Sequence, residues 1–143
     1  MKFALISDEL YLTIGSKFEH NDFTGFEYQP NARLAYYPDR KQTVWAAISR
    51  AVRTPTRSES DITLKHANSN TVLNQGSPAY ESEIMTAYEA GYKIKPNTKL
   101  TFDATAFYNQ YKKLRTLEVG QGNNVTAANL GKGNSYGLEL SGK

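Results

Sequence analysis

The chain has 143 residues, of which 39% are hydrophobic; it has no cysteine and a net charge of +3. A mean hydropathy of -0.59 excludes a helical membrane protein, since no run approaches the roughly 18 to 20 apolar residues that a spanning helix needs. A membrane β-barrel is not excluded, because alternation of apolar and polar residues dilutes its hydropathy. The lack of cysteine excludes disulfides and thiolate metal sites. The mild basic excess is scattered, so it gives no nucleic-acid signature.

The N-terminal MKFALISDELYLT is too short in its apolar part for a secretory signal. Asp8 and Glu9 also stand where a cleavage site would lie. The expectation is that any export signal lies upstream and the chain is a piece of a larger protein, or else that it is cytoplasmic. Six extended segments then follow, at about 9 to 20, 26 to 37, 43 to 53, 82 to 95, 98 to 117 and 128 to 142.

In the first two segments Leu10, Leu12, Ile14 and Phe18, then Phe26, Tyr28, Ala32, Leu34 and Tyr36, fall on even positions among polar neighbours. That period of two marks strands with two unlike faces. The third segment fits less well, because Arg50 shares the even parity of Val44, Ala46 and Ile48. An arginine facing lipid costs roughly 2 to 4 kcal/mol at mid-membrane. The parity is therefore expected to shift here, turning Trp45, Ala47 and Ala51 to the apolar side and leaving Arg53 beyond the membrane. The last three segments return to even parity with Ile84, Tyr88, Ala90, Tyr92 and Ile94; Leu100, Phe102, Ala104, Ala106 and Tyr108; and Tyr136, Leu138 and Leu140.

Pro38 to Lys41 and Pro96 to Thr98 read as tight turns. The polar stretch Thr54 to Glu81 and the glycine- and asparagine-rich Glu118 to Ala127 read as longer loops at the opposite end. Short turns at one end and long loops at the other are a habit of outer-membrane barrels. Aromatic residues also sort into two bands, Tyr36, Tyr92 and Phe102 below and Phe18, Phe26, Tyr28, Tyr108 and Tyr136 above, as expected where a barrel crosses the two bilayer interfaces.

No catalytic constellation stands out, and His20 and His66 have no neighbours at metal-ligand spacing. The chain is thus expected to be neither an enzyme nor a holder of a metal or cofactor. Polar residues on the other face, Glu27, Arg33, Arg50, Glu89, Asp103 and Glu139, are candidates to line a hydrated lumen. In the long loop Arg57, Lys65, His66 and Tyr80 offer cationic and aromatic contacts to an anionic or aromatic ligand. Lys112, Lys113 and Arg115 at a strand end are candidates to meet lipopolysaccharide phosphates.

These segments resemble consecutive strands of a TonB-dependent outer-membrane receptor over nearly the whole chain. Pro30, Asn31, Ala32, Arg33 and Leu34 resemble a P-x-x-R-L strand. Ser49, Arg50, Arg53 and Pro55 match an S-R-x-x-R-x-P element, and Glu89, Gly91 and Tyr108 an E-x-G hairpin. Asn129, Gly131, Gly137 and Glu139 match a final N-x-G-x-x-x-x-G-x-E strand. The resemblance implies an all-β, antiparallel up-and-down meander of about six strands, part of a transmembrane barrel of about 22 strands. Residues 1–143 would be a partial barrel domain, with the plug and the remaining strands elsewhere. It further implies a bacterial outer-membrane location and uptake of a ligand such as a ferric siderophore. Implied partners are outer-membrane lipid, lipopolysaccharide and, through the missing plug, TonB. The alternative is a soluble β-sandwich or β-barrel binding module, for example for carbohydrate, with the apolar face turned into a closed core.

Overall fold

The computed structural model describes residues 1–6, 8–67, 72–120 and 125–143. Its strands are β1 (Lys2–Ile6), β2 (Leu10–Asn21), β3 (Gly25–Tyr36), β4 (Gln42–Arg53), β5 (Thr63–Lys65), β6 (Val72–Gln75), β7 (Glu83–Ile94), β8 (Phe102–Val119) and β9 (Val125–Gly142), with a single helical turn, α1 (Arg57–Ser60). All belong to one sheet in the order β1-β2-β3-β4-β7-β8-β9-β6-β5. The seven strands from β1 to β9 without β5 and β6 form an antiparallel meander in sequence order. The small β5–β6 pair belongs to the β4–β7 connection and joins the far side of β9, where Gln75 lies parallel and opposite to Thr126. A sandwich would need a second sheet over the apolar face, and every strand described lies in the one sheet.

Register keeps the two faces unlike. Residues directly opposite one another in an antiparallel ladder share a face, and even positions pair with even positions in every ladder from β2 to β9 below Lys112. One row reads Ile14, Ala32, Ile48, Tyr88, Tyr108 and Tyr136. The row beneath it reads Leu12, Leu34, Ala46, Ala90, Ala106 and Leu138. Aromatics return in Tyr36 and Tyr92 one row further down and in Phe102 below that. Of the expected upper band, Tyr108 and Tyr136 share the first row, Phe18 and Tyr28 lie two rows above it and Phe26 three, and a row of small and aliphatic side chains separates that row from Tyr36 and Tyr92.

The even face is bare. Tyr136, Leu138 and Leu140 are 80%, 65% and 72% exposed, and the buried hydrophobic residues among those described are Tyr80, Ala87 and Ala127. Covering a dozen such side chains is worth on the order of 20 to 30 kcal/mol, more than the whole net stability of an ordinary domain. The backbone ladders hold this sheet together, and its apolar face requires a lipid-like cover.

The turns at the lower end close through short side chains. Asp39 accepts hydrogen bonds from the Lys41 N–H at 2.7 Å and the Gln42 side chain at 2.6 Å. Asn97 accepts from the N–H groups of Lys99 and Leu100 at 2.9 and 3.0 Å. At the upper end Asn21 does the same for Phe23 and Thr24, at 3.0 and 2.9 Å, and Gly25 supplies the left-handed residue with φ of 73°.

Three expectations are corrected. The third segment does not shift parity: Val44, Ala46 and Ile48 lie opposite Tyr36, Leu34 and Ala32 on the apolar face. Trp45 therefore stands on the polar face with Ala47, opposite Ala35 and Gly91, and the Arg33 guanidinium lies 4.2 Å over its ring. Second, β1 adds a strand, hidden in the sequence because a register irregularity between Ala4 and Ile6 puts both Phe3 and Ile6 opposite leucines, Leu12 and Leu10. Third, the connection after β4 carries α1, β5 and β6. The later loop is shorter than Glu118 to Ala127, since β8 runs to Val119 and β9 resumes at Val125. Gly122, Asn123 and Asn124 lie outside the described residues.

Glycines on the polar face accept rings from the neighbouring strand. A Cβ on Gly91 would sit 2.4 Å from Trp45 Nε1, and one on Gly137 would sit 2.7 Å from Phe107 Cζ. Replacing Gly91 with Val in the full-length protein should overpack this site and cost about 1 to 3 kcal/mol. A lowered urea midpoint for unfolding from detergent micelles, with no matching loss for Gly133→Val, is the expected result.

Candidate functional site

The polar chemistry concentrates at the upper end, where the 54–82 connection returns onto the odd-numbered face. The β4–β7 ladder ends with Arg53 opposite Glu83, and the buried Pro55 cannot extend the strand. Thr56 then caps α1. The Glu59 side chain folds back to accept the Thr56 N–H at 2.9 Å and its hydroxyl at 3.0 Å, a reciprocal cap that satisfies otherwise free helix donors.

The same Glu59 carboxylate, only 4% exposed as a residue, meets Arg53 in two parallel contacts of 2.8 and 3.1 Å. Arg53 Nη2 also donates to Glu83 at 2.6 Å and to the Tyr80 hydroxyl at 3.2 Å. The Arg115 N–H donates to Glu83 at 3.0 Å, and its guanidinium lies 3.7 Å from Glu59. Two carboxylates and two guanidiniums thus balance in charge and join the connection to β4, β7 and β8. Burial works to raise the Glu59 carboxyl, but the Arg53 and Thr56 donors override it and hold the pKa at about 2. Burial, and then the charges of Glu59 and Glu83, push the Tyr80 hydroxyl up to about 12.

A second fastening lies on β8 and β9. Register slips between Lys112 and Leu114 and back between Leu114 and Thr116, so each strand carries one extra residue. Lys113, at φ of 58°, is the bulged residue on β8. Its ammonium meets Glu81 at 2.5 Å. Asn129, beside the slip on β9, accepts the Glu81 N–H at 2.8 Å and donates to the carbonyls of Glu81 at 3.0 Å and Lys113 at 2.8 Å.

A third polar group fills a slot between β3 and β4, whose ladder stops at Asn31 and Ser49. Arg50 enters the slot, donates to the Tyr28 carbonyl, stacks 4.5 Å over the Tyr28 ring and reaches within 4.0 Å of Glu27. Glu27, 8% exposed, accepts from Thr24 at 2.9 Å and Ser82 at 2.5 Å. Phe23, Glu27, Arg50, Tyr80 and Ser82 border an open cleft of about 390 Å³ here.

The structure does not gather the four loop candidates into one site. Arg57, paired with Asp61 at 3.4 Å, Lys65 and His66 are exposed on the connection. Tyr80 is buried at 4% and its hydroxyl is taken up by the ionic network. Of the lumen candidates, Glu27, Arg33, Glu89, Asp103 and Glu139 occupy odd positions, at different heights, and Asp103 meets Lys93 at 3.6 Å. Arg50 starts from an even position and reaches its partners through the slot. Of the terminal cations, Lys113 and Arg115 turn to the connection. Sequence reasoning did not name Arg53, Glu59, Glu83 or Asn129 as site residues. The T-x-x-E spacing of Thr56 and Glu59 was a legible signal for one of them.

Replacing Arg53 with Ala takes two donors from the buried Glu59, which keeps Thr56 and Arg115, and because Arg53 is itself 44% exposed the loss in the fastening should be about 1 to 3 kcal/mol. In the full-length protein the 54–82 connection should then be cut by protease far faster while the barrel stays folded. The wild-type connection has its own pH profile. Glu59 titrates below its unfolded value near 4.5, so its stabilisation is full above that pH and is lost as pH falls toward about 2. Tyr80 titrates above its unfolded value near 10, so its contribution holds below pH 10 and is lost as pH climbs toward about 12. Protection from acid- and alkali-tolerant proteases should follow that plateau with two falling edges.

The described architecture is shared with solved structures. The siderophore receptor PirA from Pseudomonas aeruginosa superposes with a TM-score of 0.78 at 19% identity, covering 95% of this chain and 28% of that one. A mutant ferric enterobactin receptor, PfeA, from Pseudomonas aeruginosa, solved in complex with enterobactin, gives 0.78 at 20% identity, covering 97% and 23%. A double mutant of the Serratia marcescens hemophore receptor HasR, in complex with its hemophore HasA and heme, gives 0.67 at 16%, covering 93% and 27%. These likenesses establish the fold, and the chain spans about a quarter of the length of each. No curated protein matches the chain. The family model described as TonB dependent receptor-like, beta-barrel, matches residues 2–143, and the chain belongs to that family of receptor barrels.

Proposed function

We propose that this chain is a section of wall and outer rim in a bacterial outer-membrane receptor that takes up a small ligand such as a ferric siderophore. The observation that carries the reading is the joint placement of a bare apolar face on one side of the sheet and a loop fastened by ion pairs onto the opposite, polar face. A lipid-facing wall has no use for a loop on its inner side unless something passes or binds there. The PirA and PfeA structures are of siderophore receptors, which favours that ligand class. In this reading the polar residues Glu27, Arg33, Glu89, Asp103 and Glu139 hydrate the lumen. TonB and the plug would be engaged by parts of the protein other than this section, and the wall itself carries out no chemical reaction.

The exposed cations of the connection, Arg57 and Lys65, with His66, are the groups offered to an arriving anionic ligand. Tyr80, Glu59 and Arg53 set the position of the connection without facing that ligand. Deleting Thr56 to Ser77 in the full-length receptor should lower ligand affinity by tenfold or more. Barrel assembly should persist, because the β4–β7 ladder from Gln42–Ile94 to Arg53–Glu83 lies wholly outside the deletion. Heat-modifiable migration on gels reports assembly, and binding and uptake of a labelled ferric siderophore report function. Full affinity and uptake in a correctly assembled deletion would defeat the proposal.

A further inference from the structure

The double slip in β8 and β9 separates two lysines that are neighbours in sequence. Lys113 turns to Glu81, whereas Lys112 stays on the even face, directly opposite Lys132 and beside Ile84. Lys112 and Lys132 are both exposed. Like charges directly opposite in an antiparallel pair repel and destabilise it. Neither ammonium has an ion-pair or hydrogen-bond partner among the described residues.

The distribution of carboxylates shows why no partner is at hand. In β2 to β4 and β7 to β9, Glu19, Glu27, Glu83, Glu89, Asp103 and Glu139 all occupy odd positions, and the even-numbered Glu118 lies above the slips. The even face at the level of Lys112 and Lys132 is thus cationic without compensation. Two rows below, on the same face, runs the row of Tyr88, Tyr108 and Tyr136. A tyrosine row marks the level of a bilayer interface, so the lysine pair stands at headgroup height, just outside the apolar band.

We propose that Lys112 and Lys132 together form a docking site for a phosphate of an outer-leaflet lipid, with Tyr108 and Tyr136 against its upper acyl region. Resting on the outer-membrane reading above, this assigns to the lipid side of the wall a site that plays no part in ligand uptake. An anionic oxygen between two ammonium groups converts their repulsion into two charge-assisted contacts. One lipid then pins β8 to β9 immediately below the slips that present Lys113 and Asn129 to the connection.

The test uses the full-length receptor reconstituted in phosphatidylcholine nanodiscs doped with bisphosphorylated lipid A or with its dephosphorylated form. Lipid retained through a detergent wash is counted by mass spectrometry. Wild type should retain the phosphorylated lipid, and Lys112→Gln/Lys132→Gln should lower that retention at least fivefold. Lys112→Arg/Lys132→Arg should keep it, and Lys41→Gln/Lys95→Gln at the opposite rim should not change it. Without lipid A the Lys132→Gln variant should melt higher than wild type, because the repulsion is relieved, and with lipid A it should melt lower. Equal retention by wild type and the glutamine pair, or equal retention of dephosphorylated lipid A, overturns the site; so does a carboxylate from a neighbouring strand seated between the two lysines. A receptor that does not enter the nanodiscs at all would overturn the outer-membrane reading itself.

Discussion

One register condition governs the molecule: across the meander from β2 to β9, below the slips, even residues face even residues. Because a strand changes face at every residue, a single uncompensated slip would turn a whole row of leucines and tyrosines toward the polar side. Lower turns closed by Asp39 and Asn97 fix the ladders at one end. The ring-on-glycine contacts of Trp45 with Gly91 and Phe107 with Gly137 fit only when the strands are aligned residue to residue. These contacts lie on the polar face, so alignment is reinforced from the side that lipid does not reach. The apolar face can then remain smooth and nonspecific, as a fluid solvent requires.

The upper end departs from that regularity in three places, each with a polar purpose. The β3–β4 ladder opens above Asn31 and Ser49, and the gap is filled by Arg50, Gln29, Glu27 and Ser82. The β8 and β9 strands slip and recover, and the displaced residues grip Glu81. Between these, Arg53 collects Glu59 and Glu83. Ion pairs with a buried partner, here Glu59, add little net stability against apolar packing, yet leaving that partner unmatched is costly. They suit a fastening that must hold one position, and the connection is tied by ion pairs to β4 and β8 and by hydrogen bonds to β3, β7 and β9.

Most of the wall was legible from period alone, since Leu12, Leu34, Ala90 and Leu138 need no tertiary knowledge to be placed on one face. The third strand was misread because Arg50 was treated as a side chain that must stay on the face where its Cβ points. Its long stem instead carries the guanidinium into the open β3–β4 slot, and the strand keeps its parity with Trp45 inside. The sequence could not announce that slot, which depends on where a ladder stops. Tyr80 was read as a ligand contact from its aromatic type; its hydroxyl is instead taken up by Arg53, which lies 27 residues away in sequence, and by the nearby Glu83. The β5–β6 hairpin is short and meets β9 through a parallel pairing at Gln75 and Thr126, a long-range contact that no local period announces.

The slips at Lys112 to Thr116 show how a barrel wall handles a conflict between its two sides. At the upper end the polar face holds the loop, while the even face carries Lys112 and Lys132. A strictly alternating strand with Lys112 and Lys113 would supply one cation to each face but could not also bring the backbone carbonyl of Lys113 within reach of Asn129. Placing Lys113 in the left-handed region at φ of 58°, a conformation disfavoured for a residue with a side chain, carries a local conformational cost. That cost is offset by the Lys113–Glu81 contact and the Asn129 hydrogen bonds. Glu81 and Asn129 contact the bulged Lys113 from the connection and from β9, so the geometry of the wall here and the seating of the loop meet at one residue.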